Sequence, residues 1–372
     1  MTMTDVMIYV HIPFCDSKCF YCNFSSFVCG EDIKRQYFEK LNQEIVKNTD
    51  KNLNVTSIYI GGGTPSFVDE RYIAKIIDAL KTNFSVSKDA EISIEANPCS
   101  LTYEKIKSYL KCGINRISIG VQSLDNQSLK TIGRKHSKNQ AIHAIKLAKQ
   151  IGFKNINADL LIGIPGQTYS KLKRSAKLLL RQNITHLSAY MLINEPNTLL
   201  TRLIEKGDIK TVSEDECVTN YNKLTNYLNK HGFVRYEISN FAKDNFECKH
   251  NLGYWQLKNY LGFGVATHSF FDGFRYENPS RIDDYLKSNF EYTKNKLSEV
   301  EKIEEYLMLG LRTIYGVDIT NLKMLGYDIL KQKDKEINFL LKSGFLQLNN
   351  NHISVNSEHF GVLNQILLKL LP

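Results

Sequence analysis

The sequence predicts an α/β chain whose parallel sheet curls into an incomplete (β/α)6 barrel, followed by a mainly helical, winged-helix-like appendage. Three observations point there. Six short runs rich in Ile, Val, Leu or Tyr punctuate the first half, at 7–12, 56–60, 91–96, 116–121, 155–162 and 186–192. Most are near-continuous apolar runs, the pattern of strands buried on both faces. Amphipathic helical patterns separate them, so each passage reads as a βαβ unit.

The first strand runs straight into a cysteine-bearing loop. Helices are expected at 33–48, 69–83, 102–111, 138–150 and 169–182, with Asp69 and Thr102 placed as caps. A helix at 214–231 ends before Gly232. A strand-like stretch, 233–246, and a segment rich in Gly and aromatics, 248–274, come next. From Ile282 the pattern is helical again, at 300–311, 319–325, 334–343 and 359–370. Gly326 and Gly344 suit helix stops. Residues 345–355 read as a hairpin turning at 349–351. The expected divisions are a barrel at 1–232, a connecting segment at 233–281 and a helical unit at 282–372.

Composition excludes several classes. The 372 residues are 42% hydrophobic and 23% charged, so a large core is available and disorder is excluded. The net charge of +9 comes from dispersed Lys and Arg, with no basic block interleaved with aromatics, so no nucleic-acid partner is expected. The start has no basic leader and no apolar run is long enough to span a bilayer, which leads to the expectation of a cytoplasmic protein. Eight cysteines are too sparse for a disulfide scaffold.

Three of the eight are crowded together. Cys15, Cys19 and Cys22 form C-x3-C-x2-C directly after the first strand. Three thiolates on one loop suit three corners of a [4Fe-4S] cluster and leave the fourth iron open to a small chelating molecule. Zinc prefers four protein ligands, for which Cys29 and His11 are the nearby candidates. Cys29, Cys99, Cys112, Cys217 and Cys248 take no assigned role.

Chemistry in such barrels gathers at the C-terminal strand ends. The second strand runs into Gly61-Gly62-Gly63-Thr64, where backbone groups can approach a ligand. The third ends at Glu95, a carboxylate in need of a partner, for which Arg134 is the candidate. The fourth ends at Gln122. The fifth carries Asp159 in an apolar run, suited to ribose hydroxyls or to a basic neighbour. Together these residues favour a cavity for one zwitterionic ligand.

With these residues in view, the sequence resembles the radical S-adenosylmethionine superfamily, and within it the oxygen-independent coproporphyrinogen oxidase family and its haem-chaperone branch. The matching stretches are YVHIPFCDSKCFYC, YIGGGTPS, SIEANP, GINRISIGVQS, GRKH, DLLIGIPGQT, HLSAYML, YEISNFA, CKHNLGYW and YLGFGVATHS, from Tyr9 to Ser269. The resemblance implies a partial radical SAM barrel with the cluster on Cys15, Cys19 and Cys22. It implies S-adenosylmethionine against Tyr9, Tyr21, Gly62, Gly63, Thr64, Glu95, Gln122, Arg134 and Asp159, with Met191 near the adenosyl group. Arg134 suits the methionine carboxylate.

The resemblance covers two activities. Coproporphyrinogen III dehydrogenases carry a further Cys two positions after the third cluster Cys, and an extended segment before the first strand. Here that position is Phe24, and about six residues precede the strand. Both departures argue against the dehydrogenase, which stays as the alternative. The haem-chaperone branch shares the aromatic and the H-N-x-x-Y-W motif, here His250 to Trp255. It implies haem contact at His250, with Cys248 and His268 as further axial candidates. Haem and acceptor haemoproteins, membrane-associated ones included, are the implied partners, and a homodimer is compatible with it. The ligand set implies binding of S-adenosylmethionine; turnover is a separate matter.

Overall fold

The computed structural model describes residues 3–290 and 292–372. Six strands follow one another in space as in sequence, all parallel: β1 (Thr4–Ile12), β2 (Asp50–Gly62), β3 (Phe84–Ala96), β4 (Arg116–Gln122), β5 (Asn155–Ile162) and β6 (His186–Met191). The six expected strands are all present. β2 and β3 begin earlier than the apolar runs, because their first halves carry polar residues such as Lys51, Asn52, Lys88 and Asp89. Ile8, Val10, Ile58, Ile60, Ile94, Ile117 and Ile119 are fully buried, as strands covered by helices require.

The sheet continues beyond the six. β7 (Val234–Arg235) and β8 (Asn240–Ala242) form a small hairpin antiparallel to β6, so the single strand expected at 233–246 folds back on itself. At the other edge β9 (Tyr260–Phe263) pairs parallel with β1. It is followed antiparallel by β10 (His268–Phe271), β11 (Phe274–Glu277) and β12 (Thr293–Lys296). The result is one twelve-stranded sheet.

The main apolar core includes Phe233, Phe241, Phe263 and Val265, so residues of the 233–281 segment pack into the barrel's own core. A second core runs from Ile303 to Leu370. It joins helices Glu299–Gly310, Ile319–Met324, Asp334–Lys342 and Leu363–Leu370 to a small sheet of β13 (Val317–Asp318), β14 (Leu346–Asn349) and β15 (His352–Val355). Asn350 and Asn351 turn its hairpin with positive φ, 46° and 67°, which Asn tolerates. We propose that this C-terminal unit starts at helix Glu299–Gly310, where the large sheet has ended and the second core begins.

Two buried carboxylates tie distant segments to the barrel. Glu44, in helix Glu31–Lys47, accepts hydrogen bonds from Gly264 N (2.8 Å), Asn278 Nδ2 (2.7 Å) and Tyr285 OH (2.6 Å). Glu91, on β3, accepts from Lys249 N (3.2 Å) and His250 N (3.3 Å) in the first turn of helix Lys249–Trp255. That helix lies against Met7, Ser57 and Glu91, in the middle stretches of β1 to β3.

Candidate functional site

The loop after β1 is pinned at its root. Phe14 is fully buried, edge-on to Tyr37 at 5.2 Å. Phe27 N donates to Pro13 O, and Cys15 N to Phe27 O. The next turn is therefore held outward, and Cys22 N closes it by donating to Cys19 O (3.2 Å). Cys15, Cys19 and Cys22 are all free thiols, and all line one cavity of about 440 Å³. Burial pushes the Cys15 and Cys22 thiols up, so a bound metal must itself favour the thiolates.

The end of β2 faces this loop. Gly63 N donates to Ile12 O and Thr64 N to Phe14 O, both at 2.9 Å. A Cβ on Gly63 would stand 2.9 Å from Phe14 O, so glycine is required for this close approach. Thr64 Oγ1 lies 3.4 Å from Cys15 Sγ, and Arg134 Nη1 donates to Cys19 Sγ at 3.4 Å.

Arg134 does not pair with Glu95. Its guanidinium donates to Gly120 O (2.6 Å) and Asn97 Oδ1 (3.3 Å), and its buried Nε has no partner. Glu95 instead accepts from Tyr59 OH (2.9 Å) and Gly62 N (3.1 Å). Burial, with the nearby Asp159 charge, raises its carboxyl to about 7. Asp159 has no salt bridge among the described residues. It accepts from Asn157 Nδ2 at 2.7 Å, and burial raises its carboxyl too. Gln122 ends β4 with φ 61°, a backbone that turns the chain at the cavity wall. Tyr21, Gly62, Gly63, Thr64, Glu95, Gln122, Arg134, Asp159 and Met191 thus share the cavity of the cysteines.

Two expected residues lie elsewhere. Tyr9 lines a neighbouring cavity and contacts His11 Nδ1 (3.0 Å). His250 lies buried at the barrel base, stacked on Tyr59, with Nδ1 2.9 Å from Ser57 Oγ and Nε2 3.1 Å from Tyr254 OH. Burial, with the Arg116 charge adding to it, lowers its pKa to about 3. Both ring nitrogens are engaged, so in this arrangement His250 is a satisfied core histidine with no lone pair free for iron.

The sequence reading missed Tyr59, Arg116, Ser118, Asn157, Ser188 and Tyr190, which line the same cavity. A signal for them exists. Within β4 to β6 the cavity-lining residues recur at every second position: Arg116, Ser118, Gly120 and Gln122; Asn157 and Asp159; Ser188 and Tyr190. That period marks the inward face of each strand.

The donor set fits the implied groups. Three thiols on one loop, with an Arg and a Thr directed at the sulfurs, suit a cluster whose irons each take a separate cysteine. Among the described residues, no three His, Cys, Asp or Glu side chains are gathered closely enough to hold a single ion. A half-free guanidinium facing a carboxylate across one cavity suits an amino acid zwitterion.

Comparison with known proteins settles the family. The radical SAM superfamily pattern matches residues 9–179. The haem chaperone HemW of Bacillus subtilis is 36% identical over 317 residues, covering 83% of this chain and 84% of that protein. The chain belongs to the HemW family of radical SAM proteins. Another member, HemW of Lactococcus lactis, is 32% identical over 98% of this chain and 96% of its own length. The mitochondrial radical S-adenosyl methionine domain-containing protein 1 of Bos taurus is 30% identical over 98% and 87%. Among solved structures, coproporphyrinogen III oxidase (HemN) of Escherichia coli superposes with a TM-score of 0.85 at 22% identity, over 100% of this chain and 91% of that one. This likeness shows the fold of this HemW-family chain: a partial radical SAM barrel with a helical C-terminal part. Among the described residues no helix of this HemW-family chain is long and apolar enough to cross a membrane.

Proposed function

We propose that this chain is a haem chaperone: it binds haem on a scaffold holding a [4Fe-4S] cluster and S-adenosylmethionine, and passes the haem to acceptor haemoproteins. The observation that carries this is identity of 30–36%, over most of the chain, with relatives named haem chaperones. When bound, the cluster supplies a one-electron centre with one iron open to a ligand. The chain's part is to hold the cysteines outward, direct Arg134 at a carboxylate and offer Glu95 to an ammonium. Coproporphyrinogen oxidation gains nothing from the shape shared with HemN, and Phe24 stands where the dehydrogenases have a further cysteine. We place the chain in the cytoplasm, which suits its eight free thiols. The proposed acceptors include membrane-associated haemoproteins, and the proposal accommodates a homodimer.

Haem-loaded chain mixed with apomyoglobin is expected to lose its Soret band as that of holomyoglobin grows. Failure of the chain to bind haem at micromolar concentration would sink the proposal.

Glu95 gives the S-adenosylmethionine site a pH dependence. A carboxyl titrating near 7 is about one-tenth ionised at pH 6 and nine-tenths at pH 8. The methionyl ammonium, acidified by the neighbouring sulfonium, is still mostly charged at pH 7 and favours the carboxylate. Affinity is therefore expected to rise about fivefold between pH 6 and pH 7 and to level off towards pH 8 as the ammonium loses its proton, and Glu95→Gln to remove the rise. Isothermal titration reads this directly; a level wild-type curve would contradict the assignment.

A further inference from the structure

The haem-chaperone reading names a ligand, and the residue expected to hold it, His250, has both ring nitrogens engaged. The molecule offers another place. A second cavity, of about 410 Å³, adjoins the cysteine cavity and shares Phe24, Gly62 and Glu95 with it. Tyr9, Tyr254 and Tyr260 give it aromatic walls, and two imidazoles, His11 and His268, face it. Tyr254 and Tyr260 meet edge to face at 4.7 Å. Phe24, 64% exposed, stands at the shared rim.

The two histidines differ. His11 is buried, with Nδ1 at Tyr9 OH and Nε2 at Ser25 O (2.9 Å). His268 starts β10, where the antiparallel register sets it directly opposite Glu277 of β11. Its Nδ1 lies 3.4 Å from the Glu277 carboxylate. Among the described residues nothing hydrogen-bonds to its Nε2. The carboxylate beside Nδ1 favours the tautomer protonated there, which would leave the Nε2 lone pair free. Metal-binding histidines are commonly set up this way: the second nitrogen orients the ring and raises the basicity of the first. The His268 side chain is 59% exposed, so iron can reach it with no rearrangement of the core.

We infer that haem binds in this second cavity, with His268 Nε2 as the axial ligand to its iron and Glu277 as the positioning residue that fixes the ring. The inference rests on the haem-chaperone reading and adds the site. Tyr254, Tyr260 and Phe24 supply apolar contact to the macrocycle, and the open mouth leaves the propionates in water. A single ligand on an exposed strand end also suits a carrier that must release its cargo.

The test is haemin titration of the full-length chain, followed by Soret and ferric electron paramagnetic resonance spectra. The wild type is expected to show imidazole ligation. His268→Ala should lose that signature and weaken haem binding at least tenfold, with an unchanged thermal melt. His250→Ala should keep it. Glu277→Gln should still bind haem, with a shifted iron–histidine stretch in the ferrous form. If His268→Ala keeps the wild-type spectrum and affinity, or if His250→Ala alone removes the ligation, the site is overturned while the chaperone reading stands. If the wild type binds no haem, the chaperone reading fails as well.

Discussion

Cys19→Ala is expected to yield a colourless protein that takes up less than about one-tenth of the wild-type cluster on anaerobic reconstitution. Cys15→Ala and Cys22→Ala should do the same. The expectation follows from the donor count. The loop offers three thiols to the cavity, and the fourth corner is left for a small ligand, so no spare cysteine can substitute. The remaining cysteines make the contrast. Cys29, Cys99, Cys112, Cys217 and Cys248 do not line this cavity, and their alanine variants should keep the cluster. Iron and sulfide analysis gives the readout. The second cavity is lined by none of the three cysteines, so Cys19→Ala should still bind haem. Cluster loss in Cys29→Ala, or retention in Cys19→Ala, would overturn the ligand assignment.

Glu44→Ala is expected to lower stability by about 3–5 kcal/mol, since breaking a buried charged network leaves its donors without an acceptor. Glu44 is fully buried, and truncation would strand Gly264 N and the Tyr285 and Tyr292 hydroxyls, while Asn278 Nδ2 keeps Gly264 O and Thr267 Oγ1 as acceptors. Glu44→Gln keeps part of the acceptor set and should cost less. Burial raises the carboxyl above its usual range. The folded chain then binds this proton more tightly than the unfolded one. Its contribution is full below the unfolded pKa and declines as pH climbs through the raised folded value. In urea melts the cost of Glu44→Gln should therefore be largest at acid pH and shrink as pH rises through the folded value. A loss below 1 kcal/mol for Glu44→Ala would show that water replaces the carboxylate.

The sequence made the barrel legible because parallel strands buried on both faces leave unbroken apolar runs, as at Ile58 to Ile60 and Ile117 to Ile119. The cysteine loop and the glycine turn were legible because their spacing is local. What was hidden depended on contacts across the chain. β9 is four residues long with a Gly inside, too short for any period to show, and its partner β1 lies some 250 residues earlier. Pairing Arg134 with Glu95 was reasonable from charge alone. The fold satisfies Glu95 through Tyr59 and the Gly62 amide, and so leaves Arg134 its free Nε. His250 drew notice through its motif, and only its two hydrogen bonds show that it is occupied. His268 entered the sequence reading only as a further axial candidate, and the register of β10 and β11, which sets Glu277 opposite it, is what distinguishes it.

The two buried carboxylates also constrain the order in which the molecule can be made. Glu91 finds its amide donors 158 and 159 residues later, and Glu44 finds Gly264 and Tyr285 at separations of 220 and 241. On a ribosome, all six βα units emerge before any of these partners exist. A nascent barrel would bury these two carboxylates before the amide and hydroxyl donors of residues 249 to 285 exist. Contacts this distant in sequence slow folding and prolong exposure of unpaired strand edges. The late-arriving segment therefore supplies the donors that complete the barrel's buried acceptors.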